Sequence, residues 1–92
     1  MRVTPGIHLR VLGTEYLAVP SGPAAARFNG LIMLNETGAF LLRALENETD
    51  RESLLRQLSD TYDAPEELLR KDLEDFLARM RELGLLEEDG HG

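Results

Sequence analysis

The sequence predicts an α+β domain in which a small antiparallel N-terminal sheet of three or four strands is followed by three helices. Three observations predict it. Residues 7–19 hold two runs with the two-residue period of strands. Residues 31–34 form a short apolar run behind a turn signal, and residues 36–83 repeat apolar side chains at helical spacing between cap residues. A chain of 92 residues makes a single domain, 1–92, with a core expected over about 7–86 and a flexible tail over 87–92.

In the first run Ile7, Leu9 and Val11 alternate with His8 and Arg10, the period of a half-buried strand. Gly13-Thr14 turns the chain. Glu15 to Val19 then reads as a second strand, stopped by Pro20, which cannot donate to a ladder. Ser21-Gly22-Pro23 is loop by composition, and Ala24 to Phe28 either extends the second strand or forms one of its own, paired with Leu31 to Leu34. Asn29-Gly30 is the strongest short-range hairpin signal, because a type I′ turn needs positive φ at both central residues. Leu31-Ile32-Met33-Leu34 leaves that turn as a strand. Being apolar at four successive positions, it is expected to be covered on both faces. Asn35 ends it and caps a helix, with Glu36 where the helix dipole favours negative charge.

The first helix presents Ala39, Phe40, Leu41, Leu42 and Leu45 to the core and ends at Glu46-Asn47-Glu48. Thr49 and Glu52 have the spacing of a capping box, so a second helix starts there and buries Leu54, Leu55, Leu58 and Tyr62. Pro65 opens the third and longest helix, to Leu83, since Pro suits the first helical position. Leu69, Leu73, Phe76, Met80 and Leu83 form its stripe, with Leu68 and Leu77 at the edges. Glu66/Arg70, Glu67/Lys71 and Asp75/Arg79 are supportive pairs four apart. Gly84 is a natural left-handed cap with Leu85 packing back, and Leu86 to Asp89 either adds a short strand or frays.

A net charge of −7 and a pI near 4.7 argue against nucleic acid as partner, because that affinity rests on neutralising phosphates with Lys and Arg. With no Cys there is no disulfide, thiolate zinc site or cysteine nucleophile. No apolar run of about 18 residues and no secretory signal pattern is present, so neither a membrane partner nor export is expected and the predicted location is cytoplasmic. No cofactor, metal ligand or catalytic residue is predicted. His8 reads as a surface strand residue, His91 lies in the tail, and Ser21, Ser53 and Ser59 have no nearby base. Asp72 and Asp75 share a helical face, yet nothing indicates the burial an acid/base pair needs. The glycosylation-like triplets at Asn35 and Asn47 coincide with helix boundaries, where Asn and Thr serve as caps.

An uncovered sheet edge beside a helix is a ready site for an extended peptide to add as another strand. Periodicity leaves two arrangements open: Leu31 to Leu34 at an open edge, or a central strand with Ala24 to Phe28 covering the edge.

Leu34-Asn35-Glu36-Thr37-Gly38, the second helix cap, and Asp72-Leu73-Glu74-Asp75-Phe76-Leu77 running into Leu83-Gly84-Leu85-Leu86 resemble the PqqD family in order and spacing. Members are recognition domains for ribosomally made, post-translationally modified peptides. The resemblance implies a winged-helix-like domain of three strands and three helices. Such a domain binds the leader segment of a precursor peptide as an added strand, between the third strand and the third helix. It then presents that peptide to a modifying enzyme, often of the radical S-adenosylmethionine type. Carried onto this chain, the resemblance makes Leu31, Ile32, Met33 and Leu34 the docking strand, and Leu68, Asp72, Asp75, Phe76 and Arg79 the opposite wall. Asn35 stays a cap. The chain departs from the family where Glu46-Asn47-Glu48 replaces an Asp-Gly turn, and where Phe40 is the nearest substitute for a tryptophan.

The leading expectation is therefore a non-catalytic peptide-binding chaperone. Two rivals belong to other classes: a winged-helix transcription regulator, and a structural or dimerisation subunit of a modifying enzyme that binds no peptide. The first is opposed by a second helix whose only cations are Arg51 and Arg56. Open edges also allow a strand-swapped homodimer.

Overall fold

The computed structural model describes residues 1–88; of the flexible tail expected over 87–92, residues 89–92 lie outside the described residues, whereas Glu87 pairs with Arg2 in a strand and Glu88 bonds Arg81, so these two are held in place. Five strands and four helices follow in the order β1 (Arg2–Val3), β2 (Ile7–Leu12), β3 (Glu15–Pro20), α1 (Gly22–Arg27), β4 (Ile32–Leu34), α2 (Glu36–Ala44), α3 (Arg51–Thr61), α4 (Glu66–Glu82) and β5 (Leu86–Glu87).

The sheet has the antiparallel order β2-β3-β4. Gly13, at φ 64, turns β2 into β3, so that Leu12 faces Glu15 and Leu9 faces Ala18. Ala18 in turn faces Ile32, which puts Leu9, Ala18 and Ile32 in one row on the core side. The opposite face carries Arg10, Leu17 and Met33 in register.

Two expectations fail between β3 and β4. Ala24 to Phe28 is not a strand: Gly22–Arg27 is a short helix with Pro in its first turn, and its run of alanines has the best intrinsic helix propensity. Nor is Asn29-Gly30 a type I′ turn, because neither residue has positive φ. Gly30 serves close approach instead; a Cβ there would sit 2.9 Å from the Phe28 ring. The chain crosses over through α1, and β4 pairs with β3 directly.

Asn35 caps α2 as expected, its Oδ1 accepting from Gly38 N at 2.7 Å. At α3 the cap is Asp50, which accepts from Ser53 N at 2.8 Å, and not the Thr49/Glu52 box. Thr49 is held elsewhere, its N donating to Met1 O at 2.9 Å. Past α4, Gly84 at φ 74 lets Leu85 N reach Met80 O at 2.9 Å and Gly84 N reach Arg81 O at 3.0 Å, a complete Schellman ending.

Leu41, Leu54, Leu58, Leu77 and Leu85 are wholly buried, so Leu77 stands at the centre of the α4 stripe and not at its edge. Underneath, β1 pairs with β5 through Arg2↔Glu87 and Val3↔Leu86. The β5 strand was one of two expected outcomes, but β1 has no counterpart in the sequence reading. Two residues are too few to show a period.

Candidate peptide-binding groove

Strand β4 lies at the edge of the sheet, with β3 on one side only. On its free side Arg79 Nη1 of α4 donates to Met33 O at 2.7 Å. Backbone groups along a strand alternate between its two neighbours, so Met33 faces outward while Ile32 and Leu34 face β3. Of the two arrangements left open by the sequence, the structure has the open edge.

Between β4 and α4 runs a cleft of about 190 Å³. Leu34, Asn35 and Gly38 form one wall, and Asp72, Asp75, Phe76 and Arg79 the other. These four are spaced i, i+3, i+4 and i+7, one face of a helix. Leu34 is half-buried and Phe76 buried, and together they give the cleft an apolar floor.

Of the four residues predicted for the docking strand, Leu34 alone lines this cleft. Ile32 sends its side chain into the core, Met33 is 55% exposed on the outer sheet face, and Leu31 precedes the strand at 66% exposure. The expectation that both faces of this run are covered is thus wrong, because α2 packs against the sheet on the side that Ile32 faces and, among the described residues, Met33 on the other face stays exposed. On the helix side Asp72, Asp75, Phe76 and Arg79 come together as expected, whereas Leu68, 50% exposed, does not line the cleft. Gly38 was not anticipated. A Cβ there would come within 3.1 Å of Asn35 Oδ1 and 3.4 Å of Leu34 Cβ, so glycine keeps the cap tight against the strand end. A glycine in the first helical turn, where propensity disfavours it, was the available signal.

Of the three expected i,i+4 pairs Glu66/Arg70 forms, whereas Lys71 bonds Asp75 in place of Glu67 and Arg79 bonds the Met33 carbonyl. Lys71 pairs with Asp75 at 2.9 Å, Arg70 with Glu66 at 3.4 Å, and Arg81 with Glu88 at 2.7 Å. The Asp75 bond holds the Lys71 ammonium above its usual pKa range, and Arg81 holds the Glu88 carboxyl below its own. With Asp75 taken by Lys71, Arg79 is left for the Met33 carbonyl.

Two larger clefts differ in kind. One of about 480 Å³ lies between α3 and α4, walled by side chains such as Arg51, Leu55 and Arg70, with no strand edge on it. Another of about 350 Å³ follows β2, the other edge strand, where the charged Arg10, Arg43 and Glu46 stand beside Ile7 and Leu9. Among the described residues no group of three or more His, Cys, Asp or Glu could hold a metal ion, and no helix is long and apolar enough to cross a membrane. His8 is exposed on β2. Its Nε2 lies 2.8 Å from Ser21 Oγ, which is also 3.0 Å from Gly6 O.

The profile of coenzyme PQQ synthesis protein D, PqqD, matches residues 14–86, more than three quarters of the chain. The chain belongs to the PqqD family. The matched stretch begins at the β2–β3 turn and takes in the whole groove, from β4 through α4 to Leu86. Among solved structures, "TbiB1 in Complex with the TbiA(beta) Leader Peptide" has the same fold, with a TM-score of 0.72 over 98% of this chain and 99% of that one, at 18% identity. No curated protein matches the sequence. The fold predicted for PqqD members, a sheet followed by three helices, is present with two additions, the short α1 and the β1–β5 pair.

Proposed function

We propose that this PqqD-family chain is a non-catalytic carrier that captures the leader segment of a ribosomally made precursor peptide as a strand added to β4. It then presents that peptide to a modifying enzyme, for which we favour the radical S-adenosylmethionine type. The observation that carries the reading is the outward-facing backbone of Met33 at an open edge with an apolar floor beside it. Backbone pairing there supplies affinity, and side-chain pockets around Leu34 and Phe76 read alternate residues of the guest. The likeness to a leader-bound structure supports the same use of the fold. Because precursor peptides are ribosomal products met before export, the chain would act in the cytoplasm.

A DNA-reading role is opposed by α3, where Arg51 is tied to Glu74 at 3.0 Å and Glu52 and Asp60 share the helix. The β4 edge also admits a second copy of the chain, so self-association and leader binding should compete for it.

The test is Met33→Pro, titrated by calorimetry with a peptide enriched on the wild-type chain from a displayed random library. Pro removes the N–H a guest strand needs while leaving the β3 ladder, which uses Ile32 and Leu34, in place. Affinity should fall at least about tenfold with far-ultraviolet dichroism unchanged. Equal affinity would move the docking strand elsewhere.

A further inference from the structure

Resting on the strand-addition reading, we propose that Arg79 is a specificity-determining residue of the groove. It holds the Met33 carbonyl while the edge is empty, and selects leaders with an acidic side chain next to the residue that pairs with Met33.

The first observation is the bond itself. Arg79 Nη1 lies 2.7 Å from Met33 O, joining residues 46 apart in sequence across the cleft. An added strand sits about 4.8 Å from its neighbour, in the space the guanidinium now fills, and needs the same carbonyl as acceptor. Entry therefore displaces Arg79.

The second observation is the charge left behind. Helix α4 carries Arg70, Lys71, Arg79 and Arg81, and three of these have carboxylate partners in Glu66, Asp75 and Glu88. Among the described residues Arg79 has none and bonds a neutral carbonyl instead. Asp75, one turn earlier, is already taken by Lys71. Once displaced, the guanidinium loses its carbonyl acceptor, on a wall where Asp75 is shared with Lys71 and Asp72 lies about two turns away. A guest carboxylate restores two parallel hydrogen bonds in the geometry Arg prefers. A guest with a neutral side chain there removes the Met33 bond and leaves the charge to water. Of the groove's own carboxylates, Asp75 is offset by Lys71 and Asp72 lies seven residues, about 10 Å along the helix, from Arg79, while the more distant part of the net charge of −7 is screened at 0.1 M salt, so the contact decides.

The experiment is selection of mRNA-displayed random peptides on the immobilised wild-type chain and on R79Q. Calorimetry of one enriched peptide and its Glu→Gln counterpart against both proteins follows. Wild-type winners should share alternating apolar residues with Asp or Glu at one fixed position; R79Q winners should keep the alternation and lose the acid. The Glu→Gln change should weaken binding to wild type about tenfold and to R79Q less than about twofold, and R79Q should bind the Gln peptide at least as well as wild type does, its internal competitor being gone. The Met33 carbonyl carbon shift, read by NMR on the empty chain, should change in R79Q if the bond exists in solution. Acid preference that persists in R79Q, or equal losses for both peptides, overturns the role of Arg79 and leaves the carrier reading standing. Absence of any alternating pattern from both proteins overturns the carrier reading itself.

Discussion

At the scale of single residues, Thr4 is the one whose chemistry sits least comfortably. Its side chain is 1% exposed and its backbone N donates to Leu85 O at 2.8 Å, but its Oγ1 has no hydrogen-bond partner among the described residues. A buried hydroxyl without a partner is destabilising, whereas a methyl of the same shape is not. Thr4→Val should therefore raise the unfolding free energy by about 1 kcal/mol, seen as a higher urea midpoint at constant slope. A lower midpoint would mean the hydroxyl is bonded in solution. Tyr62 shows the opposite case, a polar group accommodated at a cost. Its ring meets Phe40 edge-on at 5.7 Å, and burial first, then the nearby Glu36 and Tyr16, push its phenol above the usual range.

Among the elements, β4 and α2 act as one unit, because the strand ends at the residue that caps the helix. Asn35 Oδ1 bonds Gly38 N, and Leu34 and Gly38 share the cleft wall, so the cap also sets where the open edge stands relative to α4. Asn35→Ala should cost about 1 kcal/mol by urea unfolding, and Asn35→Asp should restore it, since a carboxylate caps equally well and favours the helix dipole. If Ala were neutral, the first turn of α2 would be held by packing alone. The three residues of β4 carry contrasting duties: Ile32 anchors the strand in the core, Leu34 supplies the floor, and Met33 offers its backbone to the outside.

For the molecule as a whole, the two ends of the described chain are closed on each other. Val3 pairs with Leu86, Val3 N donates to Leu45 O at 2.9 Å, and Met1 N donates to Thr49 O at 2.8 Å and to Glu48. Val3 is 4% exposed and belongs to the same core as Leu41, Leu58 and Leu77. Val3→Asp should thus destabilise the entire domain, by more than about 3 kcal/mol, with dichroism and tyrosine fluorescence lost in one coincident transition. Loss confined to local fraying, with the midpoint unchanged, would show that the clasp is an appendage.

The sequence by itself determined what depends on near neighbours. The β2–β3 pair around Gly13, the Asn35 cap, the three main helices and their buried stripes, and the Gly84 ending are all set within a few residues of chain. It also placed Asp72, Asp75, Phe76 and Arg79 on one helical face, because 3.6 residues per turn allows no other result. What it misread were segments whose local signals conflict: the alanines after Pro23 outweighed the Asn-Gly hairpin signal, and Asp50 displaced Thr49 as a cap. Only the tertiary structure decided which strand is the edge, which face of β4 stays bare, and that β1 exists at all. Those outcomes depend on residues far apart in sequence meeting in space. The Arg79 bond to Met33 is the sharpest instance: Asp75 was its nearer partner by spacing, and lost it because Lys71 took the carboxylate while the fold brought a strand carbonyl within reach.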